Sequence, residues 1–278
     1  PTFVANSRLN GRPAVRFVPA SGLGGSPDRP LDIHGDAALT IFLVAVLEPN
    51  DGKSPYDGVL CIGNPGPGKD PGRARAALIE IERTDPKRHQ LDLAGGFSHD
   101  ASLGPGSMQP LYNRPLLLSI TRRAGPWAAG TTFHIDGQPP FERSVVATGR
   151  GNEVPRIEHR SEIGTWMGGA IATAGGFRGD VAEVIVYNRA LSDEQRAGIE
   201  AGLAARHGLI LAGQLEALAG NFSDEQRSFW SFQPVERPSL PAVAAADWPT
   251  SPIDHFVLAR LEAAGLADIQ RSGQGSAA

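Results

Sequence analysis

The sequence has almost no cysteine, and this limits the sites that it can form. Cys61 is the single cysteine among 278 residues, so no disulfide can form within the chain and no cysteine-rich metal site exists. The 7 histidines show neither His-x-His nor His-Glu-x-x-His spacing, and no Cys-x-x-Cys-His motif occurs. These absences exclude a zinc site of the usual spacings and covalent attachment of haem to this chain.

Long apolar runs and long basic runs are also missing. No segment approaches the roughly 20 apolar residues that span a bilayer, and no signal-peptide pattern is found, so we expect no membrane insertion. The formal net charge is −4 and basic residues are not clustered, which argues against nucleic acid as a partner. The chain begins at Pro1 without a methionine, and we interpret it as an internal piece of a longer protein.

Glycine and proline, in contrast, are abundant, with 34 and 23 residues. They separate short apolar segments, as an all-β protein requires. Residues 39–47 are continuously apolar, which predicts a central strand buried on both faces. Asp136 with Gly137 predicts a two-residue hairpin turn after a strand at 131–135. Further strand candidates are residues 15–18, 31–33, 58–62, 76–83, 90–93, 116–122 and 162–167.

The chain changes character near residue 180, where a strand pattern gives way to a helix pattern. Residues 181–187 are β-branched and aromatic, which predicts a mostly buried strand. Ser192 is a good N-cap, and Gln195 three residues later completes a capping box. Gly208 is placed to end the helix in a left-handed conformation. The segment is therefore predicted to be a closing strand followed by one helix.

Three segments resemble concanavalin A-like (laminin G-like) jelly-roll domains of bacteria. They are the opening "PTFVANSRLNGRPAVRFV", the central "TTFHIDGQP" and the segment "GDVAEVIVYNRALSDEQRAGIEAGLAARHGL". The resemblance covers residues 1–210 and implies an all-β jelly-roll sandwich of two antiparallel sheets with a C-terminal helix. The family includes lectins, glycosidases and adhesion modules, so its motifs specify the fold more closely than the function.

A second resemblance begins at Phe229. The segment "FWSFQPVERPSLPAVAAADWPTSPIDHFVLARLEAAGL" is similar to the start of the PSCyt2-type domain (domain of unknown function 1549) of large planctomycete proteins. We therefore expect a sandwich at 1–210, a helix and proline-rich linker at 211–250, and a truncated second domain with its tail at 251–278. A helix beginning at Ser251 carries an apolar stripe. We expect this stripe to pack on the sandwich or on a second copy of the chain.

The resemblances imply a noncatalytic module of a large exported multidomain protein, used for recognition or for scaffolding. They imply a polysaccharide or another surface glycan as ligand, neighbouring domains of the same polypeptide as partners, and an extracytoplasmic location in the periplasm or at the cell surface. Two alternatives stay open. One is a glycoside hydrolase or lyase that uses Glu80 and Glu82, which share one face of a strand because side chains alternate at period two. The other is a purely structural spacer that binds nothing.

Candidate site residues come from aromatic and acidic side chains in or near loops. An aromatic ring beside polar groups is a surface on which a sugar ring stacks. The candidates of this kind are Tyr56, Tyr112, Trp127 and Trp166. No cofactor is required, but laminin G-like relatives often hold calcium at the rim of the sandwich. Asp57 and Asp180 are the carboxylates that we name for such an ion.

Overall fold

The computed structural model of the chain describes most of its residues. They are residues 1–19, 21–25, 31, 33–50, 54–64, 75–85, 87, 89–95, 99–139, 145–149, 151–154, 157, 165–168, 175–214 and 238–266. The chain divides into two compact units, Pro1–Asn221 and Phe222–Ala278. The sequence-based division at residues 210 and 250 stays a prediction.

The first unit is a sandwich of two sheets, and fourteen strands are found in the described residues. They are β1 (Thr2–Val4), β2 (Ala14–Phe17), β3 (Gly22–Gly24), β4 (Leu39–Glu48), β5 (Tyr56–Asn64), β6 (Arg75–Glu82), β7 (Gln90–Ala94), β8 (His99–Ser102), β9 (Pro115–Arg122), β10 (Thr131–Ile135), β11 (Val146–Gly149), β12 (Thr165–Gly168), β13 (Gly175–Gly176) and β14 (Arg178–Tyr187). The described part of this unit also contains a 3-10 turn at Gln109–Leu111, a short helix α1 (Trp127–Gly130) and a longer helix α2 (Asp193–His207).

The strand order mixes early and late segments of the chain. One sheet has six strands in the order β1-β2-β14-β4-β9-β10. The other has eight, seven of them in the order β11-β8-β7-β6-β5-β12-β3, while β13 pairs with β5 in parallel. The remaining pairs are antiparallel, and the predicted jelly-roll sandwich is confirmed.

The main core lies between the two sheets and takes alternate side chains from each. Ile41 and Leu43 of β4 meet Ile79 and Ile81 of β6 in one continuous cluster. The predicted strand at 31–33 does not form in the described residues. Ile33 is instead buried in the core from a segment without regular secondary structure, where its amide donates to the Leu31 carbonyl at 2.8 Å.

Strand β4 is buried on both faces, which explains its continuous apolar sequence. Its other alternate side chains, Phe42 and Val44, form a second core with Leu203 of α2. The helix has the predicted capping box at Ser192 and ends at Gly208 with a positive φ of 64°. Helix α2 thus covers part of the outer face of the six-stranded sheet. It does not cover the outer face of the eight-stranded sheet.

The second unit contains helix α3 (Pro252–Ala263). Its predicted start is confirmed, because Ser251 and Asp254 form a capping box. Phe256 and Val257 are exposed on this helix, and their packing against another surface stays a prediction. No helix in the described part of the chain is both long and apolar enough to cross a membrane.

Candidate ligand-binding site

The outward face of the eight-stranded sheet carries a group of acidic side chains beside a small apolar cluster of Cys61 and Leu78. In β6, Ile79 and Ile81 are buried in the core, so Glu80 and Glu82 point to the opposite side. The same alternation places polar side chains outward on the neighbouring strands. We use the name acidic face for the set Tyr56, Glu80, Glu82, Gln90, Asp92, Asp100, Ser102 and Thr148.

Strand register brings acids from three strands together on this face. Glu80 lies directly opposite Asp92 of β7, and Glu82 lies opposite Gln90. Directly opposite residues in an antiparallel pair have Cβ atoms about 4.5 to 5.5 Å apart. Asp92 in turn pairs with Ser102 of β8, and Asp100 pairs with Thr148 of β11. Glu80, Glu82, Asp92 and Asp100 therefore form one cluster.

The hydrogen bonds within the cluster come from neutral groups. The Gln90 amide donates to Oε2 of Glu82 at 2.6 Å and to Oδ2 of Asp92 at 3.1 Å. The Thr148 hydroxyl donates to Asp100 at 3.4 Å. Oδ1 of Asp92 is buried and accepts no hydrogen bond from the described residues, although the side chain is only 1% exposed. A buried carboxylate oxygen without a donor is costly, so it marks a place where a ligand group could bind.

Burial and mutual repulsion favour the protonated forms of these acids. Burial raises the pKa of Asp92 to about 7, and the Asp100 and Glu82 charges add to this while Ser102 and Gln90 oppose it. Burial likewise raises the pKa of Asp100 to about 6. The pKa of Glu80 is well above its usual range, first because of burial and then because of the charges of Asp100, Asp92 and Glu82. At neutral pH the cluster therefore holds fewer negative charges than carboxyl groups.

Tyr56 joins the acidic face at the first residue of β5. It is half-buried and lies opposite Glu82. Burial raises the pKa of its phenol, and Glu82, Glu80, Asp100 and Asp92 raise it further, so the ring lies in the field of the whole cluster. The β5–β6 ladder shifts register between Gly58 and Leu60, next to Glu80. Bulges of this kind are common beside functional sites because they re-aim side chains.

Asp57, the residue after Tyr56, faces the other way and is held by an internal network. It is 1% exposed. Arg83 contacts both carboxylate oxygens, at 2.7 and 3.0 Å, and the Asn50 amide donates to Oδ1 at 2.9 Å. Burial raises the pKa of Asp57, while Arg83 and Asn50 oppose the rise. Both oxygens that would bind calcium are thus occupied by protein donors.

Asp180 lies in β14, on the six-stranded sheet, and is similarly occupied. Arg16 binds its two oxygens at 2.7 and 2.8 Å, and Arg8 approaches Oδ2 at 3.2 Å. Burial alone would raise the pKa of Asp180, but the two arginines outweigh it and hold the pKa at about 2. Asp57 and Asp180 are on different sheets and are not brought together. The described residues contain no group of three or more His, Cys, Asp or Glu side chains placed to hold a metal ion.

Asp180→Asn is expected to lower the free energy of unfolding by about 1 kcal/mol at pH 7, because Arg8 and Arg16 are about 40% exposed and water screens the ion pairs. Since the pKa of the folded state lies below that of the unfolded chain, this contribution is present above about pH 4 and disappears as the pH falls through 2. Urea denaturation at pH 7 and at pH 2.5 measures it. A difference between wild type and variant that stays constant between the two pH values would contradict the ion-pair explanation.

The aromatic candidates are dispersed over the sandwich. Trp127 is 0% exposed and lies in the core, so no face of its ring is open to a sugar. Tyr112 is half-buried, packs against the core and shares a hydrogen bond of 2.7 Å with Nδ1 of His89. The backbone of Trp166 pairs with Cys61, and its side chain lies outside the described structure. Of the four aromatic candidates, only Tyr56 is placed beside the acidic cluster by the described side chains.

The sequence interpretation missed Asp92 and Gln90, although a signal for both was present. The segment "QLDLA" alternates polar and apolar residues, with Gln90 and Asp92 on the same side. The position of Asp100 beside them had no such signal, because it depends on how β8 pairs with both β7 and β11.

Comparisons with known proteins give only distant likenesses. No protein-family model matches the sequence, and the search of curated proteins gives no match. Among solved structures, the chain is similar to the CBM40 of the Ruminococcus gnavus IT-sialidase bound to alpha2,3 sialyllactose. The TM-score is 0.42 at 14% identity, over 67% of this chain and 96% of that chain.

Other similar structures are whole sialidases, of which the chain spans about a quarter. They are the Trypanosoma rangeli sialidase in complex with the inhibitor DANA (TM-score 0.36, 20% identity, 59% of this chain and 23% of that chain) and the K499G mutant of the NanB sialidase from Streptococcus pneumoniae (0.41, 13%, 66% and 27%). At TM-scores and identities this low, the likeness supports no assignment of ligand or activity.

Proposed function

We propose that the first unit is a noncatalytic recognition module that binds a polysaccharide or surface glycan on its acidic face. The observation that carries the proposal is the juxtaposition of Tyr56 with four carboxyl groups on an outward sheet face. Carboxylates accept hydrogen bonds from sugar hydroxyl groups, and a tyrosine offers both a ring surface and a hydroxyl. We further propose that the module belongs to a larger exported protein, as the resemblances in its sequence imply.

The free-energy cost of burying these acids favours a functional role for the acidic face over a structural one. Raised pKa values of Glu80, Asp92 and Asp100 mean that folding brings these acids into an environment that opposes their ionisation. Structural surfaces do not require such a cost, whereas binding sites retain it because the ligand offsets it. An uncharged outward face of the same strands would fold at least as well.

The test is retention of the full chain on a panel of soluble and insoluble polysaccharides, in calcium and again in chelator. We expect binding to at least one glycan, equal in the two buffers because Asp57 and Asp180 are occupied by arginines. Glu82→Gln should weaken it about tenfold or more, since hydrogen bonds to a charged group contribute about 1.5 to 3 kcal/mol.

Glu194→Gln is the matched control, because it removes one negative charge from the exposed first turn of α2, on the opposite side of the sandwich. Equal loss in both variants would assign the binding to net charge and not to the acidic face. No retention on any glycan would contradict the proposal and favour the structural spacer.

A second candidate function is glycoside hydrolysis, and one observation favours it. Glu80 has a pKa well above its usual range and shares a strand face with Glu82, the arrangement in which one carboxyl acts as acid and the other as nucleophile or base. Asp92, directly opposite Glu80, could serve as the partner instead. Release of reducing ends from a bound glycan, abolished by Glu80→Gln with binding retained, would establish hydrolysis. Binding without turnover supports the noncatalytic module.

A further inference from the structure

Among the described residues, the acidic face has no basic side chain of the kind that accompanies buried acids elsewhere in the first unit. Four acidic residues are buried in the described structure, and three of them are ion-paired: Asp57 with Arg83, Asp180 with Arg16, and Glu200 with Arg196. Asp92 is the fourth, and its neighbours are Gln90, Ser102 and other carboxyl groups. Within the described part of the chain, the other buried acids thus have a cationic partner and Asp92 has none.

The charged side chains that the described strands bring to the cluster are all acids. Strand β6 presents Glu80 and Glu82, β7 presents Asp92, and β8 presents Asp100. The ionisable group from β5 is the Tyr56 phenol, and β11 contributes the neutral Thr148 hydroxyl. The charges that shift these acids come from their acidic neighbours, and no base of the described chain is among them.

We infer that the acidic face is selective for a glycan that carries free amino groups, as in an oligomer of glucosamine. The inference rests on the proposed function and narrows its ligand class. An ammonium group supplies the missing cation together with three hydrogen-bond donors. One of these would satisfy the unpartnered Oδ1 of Asp92 when the side chains that cover this oxygen move aside. Hydroxyl groups of the same sugar suit the half-buried Glu82 and Gln90 at the edge of the cluster.

Cation binding to this cluster is linked to its protons. An arriving ammonium group favours the ionised carboxylates, so protons held by Glu80 and Asp92 are released on binding. Affinity for the amino glycan should therefore be greatest at about pH 6.5, because the carboxyl groups ionise as the pH rises from 5 while the amino groups of the glycan lose their protons at higher pH. A neutral glycan forms hydrogen bonds through uncharged groups such as hydroxyls, so its binding does not require the carboxyl groups to lose protons. Its affinity should therefore change much less with pH.

The experiment compares glucosamine oligomers with N-acetylglucosamine oligomers of the same length, titrated calorimetrically into the full chain at pH 5, 6.5 and 8. At pH 6.5 we expect the amino form to bind at least tenfold more tightly than the N-acetyl form. At pH 5, where the amino groups are already protonated, two buffers with different ionisation heats should reveal proton release. Asp92→Asn should remove the preference, as should Asp100→Asn if the first variant has other effects, while Glu194→Gln should retain it.

The possible outcomes separate the inference from the proposed function. Equal affinity for the two oligomers, with binding still weakened in Glu82→Gln, would overturn the amine selectivity and leave glycan recognition in place. Binding of oligolysine as tight as that of the amino glycan would also overturn it, since the face would then attract any polycation. Absence of binding to every glycan would contradict both.

Discussion

Trp127→Ala is expected to lower the free energy of unfolding by about 3 to 5 kcal/mol, the usual cost of truncating a buried tryptophan. The ring is fully buried, and the Arg122 guanidinium lies 4.7 Å from its centre. Its Nε1 donates to the carbonyl of Leu93 at 2.6 Å, which the variant would leave without that donor. Denaturation by urea, followed by circular dichroism, measures the loss.

Trp127→Phe is the matched variant, because it keeps an aromatic ring in the core while removing the indole donor. We expect it to lose about 1 to 3 kcal/mol, which is the cost of an unsatisfied buried carbonyl with a modest cavity. A loss below about 1 kcal/mol for Trp127→Ala would contradict the buried position of the ring. Such a result would again make Trp127 a candidate for an exposed ring on which a sugar stacks.

Asp92→Asn is expected to have the opposite effect and to stabilise the protein at pH 8 by about 2 to 4 kcal/mol. Asp92 has a folded-state pKa of about 7, above its ordinary value of 3.8. The stabilisation from proton binding is therefore complete below about pH 4 and is lost as the pH rises through 7. Asparagine has no charge to bury, so its advantage should be near zero at pH 4 and greatest above pH 7.

Urea denaturation of both proteins at pH 4, 6 and 8 measures this dependence. Asp85→Asn is the control, since it removes one carboxylate from an exposed position in the turn after β6. Destabilisation by Asp92→Asn at pH 8 would mean that the carboxylate has a favourable partner in the folded state. The acidic face would then be a structural hydrogen-bond network and not a binding site for a cation.

The local sequence predicted the elements whose boundaries are set by local chemistry. The capping boxes at Ser192 and Ser251 determine where α2 and α3 begin. Asp136 and Gly137 both adopt positive φ, and the backbone bonds between Ile135 and Gln138 close the predicted two-residue turn. Each of these features depends on residues only a few positions apart.

Features that depend on distant strands were not predictable in the same way. The shared face of Glu80 and Glu82 is predictable from alternation along one strand. Which side chains lie next to them depends on the register of β6 against β7 and of β7 against β8. Trp127 follows glycine and proline, which suggests an exposed loop. The fold instead uses a single helical turn to insert the ring between the sheets.

The most direct test of the account is the location of the bound glycan on the protein. An NMR titration of the isotope-labelled full chain with the tightest-binding oligomer would report amide shifts along the sequence. We expect the shifts to concentrate in β5, β6, β7 and β8, around Tyr56, Glu80, Glu82, Asp92 and Asp100. Shifts confined to the six-stranded sheet and α2, with the acidic face unchanged, would contradict the assignment of this face as the binding site.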